Sequence, residues 1–101
     1  MYAIVLILNA NAANDLILTY TIREDRPCLP GMLYRVSVKS HQESALVLRI
    51  THKAPENYKL KALGEPLDDK PVLSRRALAQ ARWLARHYVC SLNRAVSLFL
   101  P

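Results

Sequence analysis

Apolar residues run unbroken from Tyr2 to Leu8, rich in Ile, Val and Leu, and Asn9 and Asn11 close the run. A β-branched stretch of that length between polar residues predicts a central strand covered on both faces. Asn9 to Asp15 reads as a loop, because Asn and Asp side chains bond their own backbone in turns. A second strand follows over Leu16–Ile22, with Leu16, Leu18, Tyr20 and Ile22 on one face and Ile17, Thr19 and Thr21 on the other. Arg23 to Pro27 breaks the alternation, and Leu29-Pro30-Gly31 supplies a turn in which glycine accepts positive φ. The alternation resumes in Tyr34-Arg35-Val36-Ser37-Val38, a third strand with Tyr34, Val36 and Val38 inward and Arg35 outward. The polar run Lys39 to Ser44 reads as a glycine-free hairpin loop leading to a fourth strand, Ala45–Ile50, and a linker over Thr51–Asn57 ends the sheet.

The next stretch joins a basic edge to a helix. Lys59 and Lys61 alternate with Tyr58, Leu60 and Ala62, which predicts a short strand with both ammoniums on one side. An acidic turn over Gly64–Lys70 leads to a helix capped by Ser74, whose buried face is expected to hold Ala77, Ala81, Leu84 and Tyr88. Arg75, Arg82 and Arg86 fall on a different, wet face. Trp83, between Arg82 and Leu84, is expected in the core, and Tyr20, Tyr34 and Tyr88 also fit core positions better than an exposed stacking platform. Ser91 can cap a last short helix in which Leu92, Ala95, Val96 and Phe99 share a face. With strands first and helices last, the fold class is α+β: a four-to-five-stranded, partly barrel-like sheet followed by a C-terminal helical part. The chain reads as one domain, strand-rich over residues 1–63 and helical over 74–100, and its apolar ending at Leu98–Pro101 is that expected of a domain cut from a longer protein.

Composition narrows the function. Of 101 residues 51% are hydrophobic and 22% charged, which favours a packed core over disorder, and 14 Lys+Arg against 8 Asp+Glu leave a net charge of +6. That excess favours a polyanionic partner. With only 2 glycines the chain holds neither a phosphate-binding loop nor a dinucleotide-binding turn. Cys28 and Cys90 are too far apart for a redox pair and too few for a structural zinc site, as expected of reduced cysteines in a cytoplasmic protein. His41, His52 and His87 lack a metal-ligand spacing, Ser74 has no partnered His, and the Glu65, Asp68 and Asp69 cluster reads as a solvated turn. Tyr2 to Leu8 is too short for a membrane span and lacks the basic start of a signal peptide. The sequence therefore carries no enzyme signature and calls for no cofactor. Two basic groups remain as candidate sites: Lys39, Lys59 and Lys61 at one mouth of the sheet, and Arg75, Arg82 and Arg86 on the helix as candidate phosphate contacts.

Several stretches together resemble the N-terminal 3′-DNA-binding domain of PriA, the primosomal replication-restart helicase. They are Tyr2 to Leu8, Leu18-Thr19-Tyr20, Gly31 followed by Tyr34 to Val38, Leu60-Lys61-Ala62, Leu67-Asp68, Pro71-Val72-Leu73, Trp83-Leu84-Ala85, Tyr88 and Leu100-Pro101. The resemblance implies a non-catalytic domain that cradles the 3′ end of a nascent strand at a stalled fork, assisting primosome assembly, in the bacterial cytoplasm at the nucleoid. It implies single-stranded 3′ ends and forked DNA as partners, along with other helicase domains, which would follow Pro101, and primosome proteins. In that family the pocket is built from an aromatic-acid-Tyr triplet, a hairpin glycine and a lysine on the last strand. Carried over, these fall on Leu18, Thr19 and Tyr20, on or beside Lys39, and on Lys61. Thr19 stands in place of the acid and Leu18 in place of the aromatic, while the lysine is retained. The alternative reading is a module of the same fold that docks an acidic protein or another domain of its own chain.

Overall fold

The computed structural model describes residues 1–9, 15–53, 60–88 and 90–100. Four strands, β1 (Tyr2–Ile7), β2 (Ile17–Thr21), β3 (Leu33–Val38) and β4 (His41–Thr51), precede two helices, α1 (Arg75–His87) and α2 (Leu92–Ser97). The strands form one antiparallel sheet in the order β2-β1-β4-β3. β1 is central, and its continuous apolar run serves two cores at once. Ala3, Val5 and Ile7 join Tyr20, Tyr34, Val36, Ala45, Val47 and Leu63 on one face. Leu6 and Leu46 turn to the other face, where Leu78 and Ala81 of α1 and Ala95 and Val96 of α2 cover them. Between these faces lies the reason that β1 cannot alternate with polar residues. The register shifts between Ile4 and Val5, where β4 passes from Val47 to Arg49 and carries Leu48 as an extra residue. The fold is thus α+β.

The sheet is open rather than barrel-like. β2 and β3 are its two edges, and they do not pair with each other. The segment after residue 60 crosses from one edge to the other: Leu63 donates to the Thr21 carbonyl at 3.0 Å, and Arg35 of β3 then donates to Glu65 at 2.8 Å. Only single bridges result, Thr21 with Ala62 and Tyr34 with Pro66, so the expected fifth strand is absent over residues 60–63. Tyr58 and Lys59 lie outside the described residues. The crossing segment is tied to the opposite loop by a bidentate Arg26–Glu65 ion pair, whose hydrogen bonding holds the Glu65 carboxyl below its ordinary range. Glu65 is therefore not part of a merely solvated acidic turn. Nearby, burial pushes the Cys28 thiol up to about 11, which keeps it protonated at neutral pH.

Both helices start where their serines can cap them. The Ser74 hydroxyl accepts from the Ala77 N–H at 3.0 Å and Ser91 accepts from the Arg94 N–H at 3.1 Å. α2 has a second cap from the far end of the chain: the Asp15 carboxylate accepts the Leu92 and Asn93 N–H groups at 2.7 and 2.9 Å. Asn93, only 6% exposed, in turn donates to the Ile7 carbonyl at 2.9 Å and accepts from the Asn9 N–H at 3.0 Å. A short helix is thereby fixed to the end of β1.

Two expectations for α1 are overturned. Trp83 is 54% exposed and Tyr88 is 68% exposed, so neither belongs to the core. The helix buries Leu78 and Ala81, with Ala77, Leu84 and Ala85 partly buried beside them. At about 100° per residue Trp83 lies roughly 200° from Ala81, on the far side of the helix. Trp83→Ala should therefore lower stability by about 1–2 kcal/mol, through its half-covered ring, and not by the roughly 3–5 kcal/mol of a buried tryptophan. Urea denaturation followed by circular dichroism measures this, and a loss in the higher range would return Trp83 to the core. The second strand is also shorter than expected at its start, where Leu16 is exposed.

Candidate nucleic-acid interface

A cleft of about 570 Å³ opens between β2, the β3–β4 hairpin and the crossing segment. Leu18, Thr19, Tyr20, Lys39 and Lys61 all line it, with Ile17 and Val38 adding apolar wall. Five residues singled out from sequence are thus brought to one place. Lys59 lies outside the described residues, and Arg75, Arg82 and Arg86 line a different surface.

Lys61, Tyr20 and Lys39 are each placed by a separate device. Thr21 donates its N–H to the Lys61 carbonyl at 2.9 Å, which fixes Lys61 along the free edge of β2 while its exposed ammonium stays in solvent. Tyr20, 4% exposed, packs in the core and reaches across to donate its hydroxyl to the Ser37 carbonyl at 2.9 Å. Burial raises its pKa, so the phenol remains protonated and that bond persists at neutral pH. The bond links the two edge strands and closes the inner end of the cleft.

Lys39 occupies the tip of a two-residue hairpin. Val38 pairs with His41, and both turn residues have positive φ, 47° at Lys39 and 70° at Ser40. Such a turn follows the right-handed twist of the strands but favours Asn-Gly, because a side chain in the left-handed region meets its own carbonyl. The polar run after Val38 is thus mostly strand, with β4 starting at His41 rather than at Ala45. Backbone strain at the rim of a cleft is a cost to folding that a binding site can carry. Ser40→Gly, which leaves Lys39 in place, should raise stability by about 0.5–1 kcal/mol in urea denaturation. An unchanged or lower midpoint would contradict the strain.

Among the described residues the cleft therefore offers two ammoniums, the hydroxyls of Thr19, Ser37 and Tyr20, the last committed to the Ser37 carbonyl, and an apolar wall, and no carboxylate lines it. Among the described residues no cluster of three His, Cys, Asp or Glu side chains suits a metal ion, and no helix is long and apolar enough to cross a membrane. A concave, positive site at a sheet edge is suited to the sugar and phosphate of a nucleic-acid terminus. The family model for the 3′-DNA-binding domain (3′BD) of PriA matches residues 5–101, essentially the whole chain. The chain belongs to the PriA 3′BD family. A search of curated proteins finds no match. Thr19 brings a hydroxyl and Leu18 an aliphatic side chain to the positions where the resemblance implies an acid and an aromatic. Of the site's features, the Tyr20–Ser37 tie was not foreseen, because it depends on strands separated in the sheet by β1 and β4.

Proposed function

We propose that this 3′BD holds the 3′-terminal nucleotide of a DNA strand in the Lys39–Lys61 cleft, without catalysing a reaction, and so directs a replication-restart helicase and primosome assembly to stalled forks in the bacterial cytoplasm. The observation that carries the reading is the convergence of two lysines on one apolar cleft, which no carboxylate lines among the described residues. In it Lys61 bonds the terminal sugar or the adjoining phosphate, Lys39 adds a second positive charge from the hairpin tip, and Leu18 and Val38, which pack against the same core, receive the flat face of the terminal base. The Thr19 hydroxyl both donates and accepts, so it meets the edge of any base with little preference. Tyr20 sets the depth of the cleft, its proton being committed to Ser37.

Few phosphates are touched in a cleft of this size, and the salt dependence follows. Fluorescence anisotropy with a short 3′-hydroxyl oligonucleotide should show affinity falling with salt at a log-log slope of about −1 to −3. A slope near zero, or no binding at millimolar protein, contradicts the reading.

A further inference from the structure

The largest unexplained feature is on α1. The helix carries four arginines and no acidic residue, its first turn included. Arg75 and Arg76 sit at the positive end of the helix dipole, and Arg82 and Arg86 are like charges one turn apart. Each arrangement opposes folding slightly. Exposed helix faces usually offset such charge with alternating carboxylates, yet the ion pairs among the described residues are Arg23–Asp25 and Arg26–Glu65, neither on α1. Arg75, Arg82 and Arg86 instead line a groove of about 430 Å³ with the half-exposed Trp83, above an apolar floor that includes Leu48 and Pro30. The His87 ring lies against Trp83 at 4.4 Å between ring centroids, tilted by 31°. The groove shares no lining residue with the Lys39–Lys61 cleft.

We propose that this α1 groove is a second DNA-binding site, which takes the interior of a single strand: the arginines hold successive phosphates and Trp83 stacks a base. Guanidinium forks match phosphate oxygens and an indole accepts any base face, so the site is indifferent to sequence and to strand ends. An acidic polypeptide would satisfy the charges but leave the exposed indole and apolar floor without a planar partner, which favours a nucleic acid. The inference rests on DNA as the ligand of this chain but not on recognition of a 3′ end.

Trp83 is the sole tryptophan, so its fluorescence reports on this groove alone. A circular single-stranded oligonucleotide, which has no 3′ end, should quench that emission on binding. Trp83→Ala and, separately, Arg82→Glu should each weaken binding of the circle, followed by anisotropy, about fivefold or more, with circular dichroism unchanged. Both variants should keep the wild-type preference for a free over a blocked 3′ end on short linear strands. Circles that bind without quenching Trp83, or that bind both variants as tightly as wild type, overturn the proposal. So does quenching by poly-glutamate with none by DNA, which would assign the groove to an acidic polypeptide. If circles quench Trp83 and bind as tightly as matched linear strands, the groove stands and 3′-end recognition falls.

Discussion

Gly31→Ala is expected to lower stability by about 3–5 kcal/mol, enough to unfold much of a domain this small. Gly31 has φ 90°, in the region that side chains rarely occupy, and a Cβ there would sit 2.1 Å from the Leu73 carbonyl oxygen. That oxygen cannot retreat easily, because Leu73 is 2% exposed and packs under α1 and α2. The glycine also joins three parts of the fold through its backbone. Its N–H donates to Val47 of β4 at 2.8 Å, and its carbonyl accepts from Val72 at 2.9 Å and Leu73 at 3.3 Å, just before α1 begins. Moving either strand or carbonyl would therefore break bonds that hold the helix entry to the sheet. Urea denaturation followed by circular dichroism checks this, and a change below about 1 kcal/mol would contradict the account of the close approach.

The largest expected functional effect belongs to Lys61. Lys61→Ala should weaken binding of a 3′-hydroxyl oligonucleotide about tenfold or more, since a charge-assisted bond to sugar or phosphate contributes roughly 1.5–3 kcal/mol. Stability should not change, because the ammonium is exposed and the backbone bond from Thr21 to the Lys61 carbonyl survives the substitution. Lys39→Ala should cost less, as its ammonium sits at the hairpin tip and acts mainly through its field. Anisotropy titrations on matched strands, with urea denaturation as the control, separate binding from folding. Equal affinities for wild type and Lys61→Ala would remove Lys61 from the site.

What could be read from the chain alone was what local chemistry decides. The β1 run, the turn glycine at position 31 and the Ser74 and Ser91 caps each depend on a few neighbouring residues, and each is found in the fold. Trp83 has apolar neighbours in the sequence, yet its angular position relative to Ala81 decides its exposure. The Lys39–Ser40 turn was hidden by the absence of glycine, the residue that usually announces positive φ. The Asp15 cap on α2 and the Asn93 anchor join opposite ends of the chain, and no local pattern reveals such pairs. The cleft is a similar case. Its lysines were candidates by residue type and by resemblance, but their meeting follows from the crossing segment, which bonds first to Thr21 at one sheet edge and then to Arg35 at the other.

The central claim is recognition of a DNA 3′ end by the Lys39–Lys61 cleft, and the most direct measurement is a titration with short matched oligonucleotides whose 3′ ends are either free or blocked by a bulky group. Wild type should bind the free end about fivefold or more tightly, in keeping with the loss of roughly 1 kcal/mol or more when a terminal contact is blocked, and Lys61→Ala should reduce that preference to near unity. Equal binding of free and blocked ends by wild type, with Lys61→Ala losing nothing on either, would contradict the account.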